Sequence, residues 1–557
     1  MKKIFFALLS ASMVLFAACQ QTGPQVSDEA QVLEARDASY EVTVTSTGAW
    51  TLEGEYDWMT PSATSGNGGE TITFTARVNL TDLIRTAEYT LVQNGGETVI
   101  TLYQKGIKPD ANVSVSLVEK AATSARFAIN YSSAIEADYQ EYGLYYSTEP
   151  NFESATRQKY GTDMNSGVKI VELKDLKSDA VYFVWPYVQT IDVVEVVGSM
   201  IGLLEPVQVS DLTKLQEAIN NAPAYTEVRV VAGTYGAAEN GTIELKSNIT
   251  LTGGWNADFT KVDGYTVIDG QGAKTCVNFA EGVNSATIKN IEAINTDPNG
   301  KGAIINNGAT NSTIVNCYVH DNGPFGNDCA GISIAAGDAT VANTKMVANQ
   351  TKGHGVGIHV SSGANVKMVN CLVADNVSLN HDGYYGGVTF KGNAVMVNCT
   401  IVKNYCCDEN NGNCWPVNGV RDGAWLKGHN NVIAGNMARV KDEGEYAIQR
   451  NQFHFKDAWT ADFAFTHNIL QGGQRGNLPE SEAGKNNNML ALDYDLNKLF
   501  KNFAGGEYEL AENAEHAKDK GDEANATVAS LIGMYNTDLA GNPRVVGKID
   551  LGCYELQ

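Results

Sequence analysis

Short strings in which hydrophobic and polar positions alternate fill residues 287–434, and one string recurs along them. Its versions read IKNIEAIN, IVNCYVHDN, VANTKMVAN, MVNCLVADN, MVNCTIVKN and NNVIAGN. Their central asparagines recur every 26 to 33 residues, at Asn290, Asn316, Asn343, Asn370, Asn398 and Asn431. A period in this range is typical of a solenoid, whose units bury their apolar faces against one another. The repeat therefore predicts a stack of similar coils.

Each coil is predicted to consist of strands. Val315, Cys317 and Val319 share one face of an extended string, and β-branched residues dominate. A second strand follows a loop in the strings GAII, GISI, GIHV and GVTF. Several short strands per turn of about 27 residues predict a parallel β-helix. The stacked row that contains Cys317, Cys371 and Cys399 is predicted to hold buried free thiols.

A second row of asparagines closes the recurring strings. Its members are Asn295, Asn322, Asn349, Asn376, Asn404 and Asn436. Asparagine tolerates the left-handed backbone conformation that a sharp corner needs. These residues are therefore predicted to form corners of the coil and to hydrogen-bond from one coil to the next.

Two β-sandwiches are predicted ahead of the β-helix, the first over residues 37–106. Gly and Asn turns separate its short alternating strings. Gly48-Ala49-Trp50, Trp58, Arg85-Thr86-Ala87 and Gln104 resemble the BACON domain of Bacteroidetes surface proteins. That resemblance implies either carbohydrate binding or a spacer. We interpret Trp50 and Trp58 as core residues, because large aromatic side chains are usually buried.

The second sandwich is predicted over residues 107–207. The strings EYGLYYSTEPNF and LKDLKSDAVYFVWPYV resemble a fibronectin type III-like domain, which implies a spacer. The last strand alternates between two faces: Tyr182, Val184 and Pro186 on one, and Phe183, Trp185 and Tyr187 on the other.

The β-helix is predicted over residues 208–557. Ser210 is a suitable N-cap for the amphipathic helix LTKLQEAINNA, which leads into AGTY as in many right-handed β-helix proteins that it resembles. The segment from TDLAGNPR to IDLGCYE resembles the end of β-helix surface proteins of the choice-of-anchor group, and we expect it to form a C-terminal cap. The fold class is thus all-β: two N-terminal β-sandwich domains followed by a right-handed parallel β-helix with an N-terminal capping helix.

The first 19 residues read as a targeting segment. Lys2 and Lys3 precede an apolar run that ends in Phe-Ala-Ala-Cys at Cys19. This ending resembles a bacterial lipoprotein signal, which implies a lipid on Cys19 and an outer-membrane protein displayed at the cell surface. Residues 20–36 are polar without periodicity and are predicted to be a tether. We expect no membrane-spanning helix, since no other segment approaches 18 consecutive apolar residues.

The net charge of −24 argues against nucleic acid as a partner and favours solubility outside the cell. The expected partners are a polysaccharide and, through the lipid, the membrane, with the chain as a monomer. Export permits disulfides, and Cys414 with Cys406 or Cys407 is the expected pair.

Candidate chemistry gathers in the loops that precede one row of strands, because those loops lengthen along the chain. Stacked coils would bring their carboxylates, imidazoles and aromatic rings to one edge, which is what sugar binding or cleavage requires. The expected substrate-binding residues are His359, His381, Asp382, Tyr384, Tyr385 and Trp415. His359 and Lys427 are assigned to outward positions of the strands that follow the loops.

Four short motifs resemble the polygalacturonase-type glycoside hydrolases. They are Asn295-Thr296-Asp297, Asp328-Cys329, Gly353-His354-Gly355 and Val420-Arg421, in the family's order. The resemblance implies that Asp297 and Asp328 are the carboxylates, that His354 orients them and that Arg421 binds a uronate carboxyl group.

Two other functions use the same edge. A polysaccharide lyase would need a base, Lys427 or Arg421, and a cation such as calcium, which Asp328, Asp382 and Asp408 could hold. A non-catalytic glycan-binding surface, an adhesin or a structural stalk needs no catalytic residue. The sequence predicts a cell-envelope lipoprotein whose β-helix binds a polysaccharide, and it leaves cleavage open.

Overall fold

The computed structural model describes residues 23–557 except for fifteen short gaps. The gaps are residues 37, 82, 108–111, 133–138, 163–166, 324–328, 380–385, 409–416, 420–423, 440–445, 449–452, 456–463, 472–473, 476–486 and 490–494. None of the helices in the described part has the length and apolarity that crossing a bilayer requires.

The first sandwich packs two sheets around a core that contains Trp50, Phe74 and Tyr89. One sheet has the order Ala30–Leu33, Gly96–Gln104, Arg85–Gln93, Ala49–Glu53, Ser65–Asn67, and the other Ala38–Thr43, Thr71–Ala76, Met59–Pro61. Trp50 and Trp58 are only 2% and 9% exposed. Their interpretation as core residues is confirmed, and neither ring offers a platform for a ligand.

The sandwich begins earlier than the sequence analysis expects. Strand Ala30–Leu33 pairs in parallel with Gly96–Gln104, and Val26 bridges Val44. Gly23 packs directly on the backbone of Glu97. The prediction of a tether over 20–36 is therefore wrong for residues 23–36. The pairing of strand Ala30–Leu33 is made by backbone hydrogen bonds, so the side-chain pattern gives little indication of it.

The second sandwich also has two sheets. One has the order Gly167–Leu173, Ala125–Ser132, Asn112–Lys120, and the other Thr156–Gly161, Tyr139–Ser147, Phe183–Thr190, Glu195–Val197, with Ile201–Gly202 beside Phe183–Thr190. Tyr182, Val184 and Val188 face the core. The predicted alternation of strand Phe183–Thr190 is confirmed.

The β-helix is built from three long parallel sheets, named here sheets 1, 2 and 3. In the described residues sheet 1 comprises Val207–Val209, Glu227–Val231, Thr250–Trp255, Thr287–Lys289, Ser312–Val315, Asp338–Ala342, Asn365–Val369, Asn393–Val397, Leu426–His429 and Ala464–Thr466. Sheet 2 comprises Gly233–Gly236, Thr266–Asp269, Ile291–Ile294, Tyr318–His320, Lys345–Val347, Leu372–Ala374, Thr400–Val402, Val432–Ala434 and Ile469–Leu470. Sheet 3 comprises Ile243–Glu244, Val277–Phe279, Ile304–Asn307, Ile332–Ala336, Ile358–Val360, Val388–Phe390, Val417–Gly419, Phe453–Phe455 and Gln474–Arg475. A smaller sheet beside them comprises Gln350–Thr351, Val377–Ser378, Tyr405–Asp408, Met437–Arg439 and Tyr446–Ile448.

Within a coil the chain visits sheets 1, 2 and 3 in turn, and an asparagine in the left-handed conformation makes the corner between sheets 1 and 2. Its φ is +52° at Asn370 and +52° at Asn398. In the next coil the corner falls at Asn430, φ +60°, because Val397 pairs with His429. The prediction of Asn431 for that position is wrong by one residue. Asn431 instead continues the row of Cys371 and Cys399.

The second asparagine row is a buried ladder. Asn322, Asn349, Asn376, Asn404 and Asn436 bond side chain to side chain between successive coils. The expected coil-to-coil bonds are confirmed, whereas the left-handed corner lies one residue earlier, at Asp321, Ala348, Asp375, Lys403 and Gly435. Asn295 is itself a corner, so Thr296 occupies its coil's ladder position and bonds to Asn322.

A short helix closes the first coil. The turn Leu212–Lys214 leads into Leu215–Asn221, and Leu215 and Ile219 join the β-helix core. The N-cap is Asp211, which accepts a hydrogen bond from the backbone of Thr213, and not Ser210 as predicted. Asp211 competes as a cap because the first turn is of the 3-10 type and begins one residue later. A four-residue helix follows at Ala237–Asn240.

Residues 495–557, named here the C-terminal strap, run back along the outside of the β-helix. They contain helix Leu496–Leu499, strands Phe500–Asn502 and Glu507–Leu510, and helix Ala526–Met534. The strap packs on the outer faces of sheets 1 and 2, for example through Tyr508 on Asp375. The strap therefore lies along the side of the coils, whereas the sequence predicts a cap at the C-terminal end of the stack. Strands such as Leu372–Ala374 are buried on both faces for this reason.

The predicted fold class is confirmed: nearly all elements are strands, and parallel pairing runs through sheets 1, 2 and 3. Cys317, Cys371 and Cys399 are free and buried in the β-helix core, as predicted. Burial raises the pKa of the Cys317 thiol to about 12. The domain boundaries as a set, the lipid anchor and the cellular location stay predictions.

Candidate functional site

The outer face of sheet 3 carries a polar row. Residues alternate between the two faces of a strand, so Ile332, Ile358 and Val388 enter the core while their neighbours point outwards. The outward row runs through Ile305, Ser333, His359 and Thr389, which are paired in register. Its register continues at Asn418, His454 and Arg475. Among the described side chains the row is apolar at Ile305 and polar at Ser333, His359 and Thr389.

His359 lies beneath the loop that precedes its own strand. A Cβ on Gly355, whose φ is +61°, would lie 2.6 Å from the Ile358 carbonyl oxygen and 2.9 Å from the Cβ of His359. Only glycine allows this close approach. The loop is also tied to the preceding coil, since the His354 carbonyl accepts a hydrogen bond from the Cys329 amide at 2.9 Å. The loop that contains His354 therefore packs against His359, which is only 6% exposed.

Asp297 has a local structural role. Its Oδ1 accepts a hydrogen bond from the Asn299 amide at 2.8 Å, and its carbonyl accepts one from Gly300 at 2.9 Å. Its own amide donates to the Lys274 carbonyl at 3.0 Å. This is the geometry of an Asx turn, in which the carboxylate closes its own loop. The turn explains the residue without a catalytic role.

Several of the expected site residues lie outside the described residues. They are Asp328, His381, Asp382, Tyr384, Tyr385, Trp415 and Arg421, and the side chain of Asp408 also falls outside, as does the expected disulfide of Cys414 with Cys406 or Cys407. The calcium site and the carboxylate pair stay predictions. In the described part of the chain, no three His, Cys, Asp or Glu side chains are arranged to hold a metal ion.

Lys427 is not on the same face as His359. It lies on sheet 1, in strand Leu426–His429, and its ammonium group is 5.4 Å from the ring centre of Trp425. Its neighbour His429 is covered, and burial lowers the pKa of that imidazole to about 4. The assignment of Lys427 to the site edge is wrong. The sheet 3 strand of this coil is Val417–Gly419, which comes before Lys427 in the chain.

Sequence reasoning missed most of the outward row. The third residues of GISI, GIHV and GVTF are Ser333, His359 and Thr389. Only His359 among them was assigned to the site. Aligning these strings by their apolar flanks also finds His454 in FHF. That alignment was the available signal.

Comparison with known proteins identifies one part of the chain. Residues 48–105 match a family model described as "BACON: Putative binding domain, N-terminal". The BACON resemblance inferred from Trp50 and Trp58 is confirmed for that segment. No curated protein sequence matches the chain.

Solved structures are similar to parts of the chain. The family 28 exopolygalacturonase of Yersinia enterocolitica is 12% identical over 65% of this chain and 87% of that chain, with a TM-score of 0.23. Pectate lyase PelI of Erwinia chrysanthemi, in complex with tetragalacturonic acid, is 12% identical over 64% of this chain and 99% of that chain, with a TM-score of 0.15. The Bacteroides ovatus GH5 xyloglucanase, in complex with a XXXG heptasaccharide, is 22% identical over 15% of this chain and 18% of that chain, with a TM-score of 0.14. The chain spans less than a fifth of that xyloglucanase.

Proposed function

We propose that the β-helix binds a polysaccharide along the outer face of sheet 3 and the loops beside it. The supporting observation is the position of the C-terminal strap. Helix Ala526–Met534 packs on part of the outer face of sheet 1, from Ala342 to Val397, and residues 496–556 pack on sheet 2 from Val347 to Ile469. The strap leaves sheet 3 aside, where the outward side chains Ser333, His359 and Thr389 are 3%, 6% and 0% exposed and the longest loops of the sequence precede the strands. Binding usually resides on loops held by a rigid scaffold.

The chemistry of the row suits sugar hydroxyl groups. Ser333 and Thr389 can donate or accept hydrogen bonds, and the His359 imidazole can do both. We propose that this row forms the floor of the site, beneath the loop edge. Tyr384, Tyr385 and Trp415 belong to the loops, and aromatic rings pack well against the CH groups of sugar rings. The proposed contacts therefore combine a hydrogen-bonding floor with aromatic side walls.

Cleavage is the alternative outcome of the same site. It would use the residues that the polygalacturonase resemblance and the lyase hypothesis supply, namely Asp297, Asp328, His354 and Arg421, and with calcium Asp328, Asp382 and Asp408. The Asx turn at Asp297 weakens that residue's part. We therefore propose binding without cleavage as the main function. The protein would be anchored at the cell surface through Cys19, with the two sandwiches between the anchor and the β-helix.

A screen of the mature chain against pectins, alginate and glycosaminoglycans tests the proposal. Binding is measured by titration calorimetry, and cleavage by reducing ends and by the ultraviolet absorbance of unsaturated products. Tyr385→Ala and Trp415→Ala should weaken binding about tenfold without a loss of folding, since stacked aromatics carry much of such an interface. Lys289→Ala, on the exposed face of sheet 1, is the matched control.

The outcomes separate the alternatives. If Asp328→Asn or Arg421→Ala abolishes turnover while binding persists, the site is catalytic. If all four variants behave as wild type towards a glycan that the chain binds, this edge is not the site.

A further inference from the structure

The second sandwich carries an aromatic face where polar residues are expected. One face of each sheet in a two-layer sandwich packs on the core, and the other normally meets water and is polar. On strand Phe183–Thr190 both faces are buried. Phe183, Trp185 and Tyr187 point away from the core that contains Val184 and Val188.

These rings are extended by neighbours from two other segments. Tyr145 lies on the adjacent strand opposite Trp185, and its ring centre is 5.1 Å from that of Tyr187. Phe152 comes from the short helix Phe152–Ser154 and meets Tyr145 at 4.8 Å and Trp185 at 5.7 Å, edge to face in both pairs. The Phe152 ring remains 41% exposed. The Phe152 ring thus packs against Tyr145 and Trp185 and leaves part of its own surface exposed at the edge of the aromatic face.

Polar groups with fixed geometry border these aromatic rings. Arg157, opposite Tyr145 on the next strand, stacks on the Tyr187 ring at 4.4 Å and donates to Glu195 at 3.0 Å and to Gln189 at 2.6 Å. The Tyr145 hydroxyl donates to Glu195 at 2.7 Å.

The border is electrically balanced. Glu141 receives ion pairs from Arg157 at 2.6 Å and Lys159 at 2.5 Å, and Glu195 pairs with Arg157 at 2.9 Å. Two carboxylates thus face two cations. A charged ligand would have to displace one of these pairs, whereas the hydroxyl groups of a neutral sugar can bond to their edges.

We propose that this aromatic face of the second sandwich binds a neutral glycan, with sugar CH groups against Phe152 and Tyr145 and hydroxyl groups bonded to Arg157 and Glu195. Rigid aromatic rings beside a few fixed polar groups are the usual composition of a small-ligand site. The site is separate from sheet 3 and does not rest on the function proposed for the β-helix.

Affinity electrophoresis of the full mature chain tests this site. The probes are galactomannan, mixed-linkage β-glucan and dextran, with polygalacturonate as the charged comparison. At least one neutral probe should retard the chain. Phe152→Ala should lower the association constant about fivefold or more, and Phe152→Trp should retain binding. Val168→Ala, a 56% exposed residue on the other sheet of the same sandwich, should bind as wild type.

The near-ultraviolet circular dichroism of each variant reports whether the sandwich is folded. The site is supported if a folded Phe152→Ala variant is no longer retarded and the Val168→Ala variant still is. The proposal is overturned if none of the three neutral polysaccharides retards the wild-type chain. It is also overturned if the Phe152→Ala variant binds like wild type. Loss of retardation in Trp415→Ala alone also overturns it, because binding would then belong to the β-helix.

Discussion

Asn376 and Asn404 occupy equivalent positions in successive coils and are joined by two hydrogen bonds. The backbone nitrogen and the Nδ2 of Asn376 both donate to the Oδ1 of Asn404, at 3.2 and 2.9 Å. Asn376 accepts the same pair of bonds from Asn349, at 3.0 Å each. Both side chains are fully buried. Each rung of the ladder is therefore donor to one neighbour and acceptor from the other.

Replacing Asn376 by alanine should break two rungs at once. The backbone and side-chain donors of Asn349 lose their acceptor, and the Asn404 oxygen loses its side-chain donor while it keeps the backbone amide of residue 376. Because each unpaired buried polar group costs about 1–3 kcal/mol, we expect a loss of about 3 kcal/mol in the free energy of unfolding, measured by chemical denaturation.

The matched control is Asn365→Ala. Asn365 bonds to Asn393 across adjacent coils at 2.8 Å, but at the surface. Its loss should change the free energy of unfolding by no more than about 0.5 kcal/mol. Equal effects at the two positions would show that the ladder has no special energetic weight.

The sequence predicts the coils well because the strands of each coil must pair with those of its neighbours. Equivalent residues therefore recur at a regular spacing. Asn370 and Asn398, which the repeat aligns, occupy equivalent positions for that reason. The prediction fails where the coil length changes. The long insertion before Val417–Gly419 shifts the alignment, and the dipeptide Asn430-Asn431 offers two candidates for one corner. Lys427 was misplaced by the same insertion.

Segments without a period are less predictable. The C-terminal strap has no repeat, and its partners lie more than a hundred positions away along the chain, as with Tyr508 and Asp375. Strand Ala30–Leu33 joins the first sandwich through backbone hydrogen bonds, which any side chain permits. The site suffers most, because its expected residues occupy inserted loops, which the repeat does not constrain.

Cys371 is predicted to tolerate small apolar replacements but not charge. Its side chain is fully buried beside Cys399 in the β-helix core. Cys371→Asp would place an unpaired carboxylate there and should cost several kcal/mol, seen as a lower denaturation midpoint. Cys371→Ala, which only removes one heavy atom, should cost much less. Similar midpoints for the two variants would contradict the burial of this position.

Glu555 should make stability depend on pH. It lies in the strap beside Arg544, at 3.3 Å, and burial raises the pKa of its carboxyl group to about 7 from 4.5. Since the folded state holds this proton more tightly than the unfolded state, the stabilisation is complete below pH 4.5 and is lost as pH rises through about 7.

Glu555→Gln removes this titration. Between pH 4.5 and 7 the unfolding free energy of the wild type should fall relative to that of the variant, by up to about 3 kcal/mol. Glu512→Gln, an exposed strap residue, should leave the pH profile unchanged. A constant difference between wild type and Glu555→Gln across this range would exclude Glu555 as the titrating group.

Asp192 is predicted to hold the two sandwiches together. Its side chain, 10% exposed, accepts hydrogen bonds from Arg77 at 2.9 Å and Arg85 at 3.4 Å, both in the first sandwich. Asp192→Ala leaves these guanidinium groups without their shared partner, so the junction between the sandwiches should loosen. The maximum dimension measured by small-angle X-ray scattering should then increase. Asp57→Ala removes a weaker, exposed partner of Arg77 at 4.0 Å and should not change the scattering. Identical curves for all three proteins would show that the junction does not depend on Asp192.

Cys19 is predicted to carry lipid and to hold the first sandwich close to the membrane. Gly23, only four positions later, already packs on Glu97, and four extended residues span about 14 Å. Cys19→Ser should therefore move the protein from the membrane fraction to the soluble fraction, measured by detergent partitioning. Cys329→Ser, which changes a buried cysteine of the β-helix, should stay with the membrane. If Cys19→Ser partitions like wild type, the anchor lies elsewhere, and the short distance between Cys19 and Gly23 no longer places the first sandwich at the bilayer.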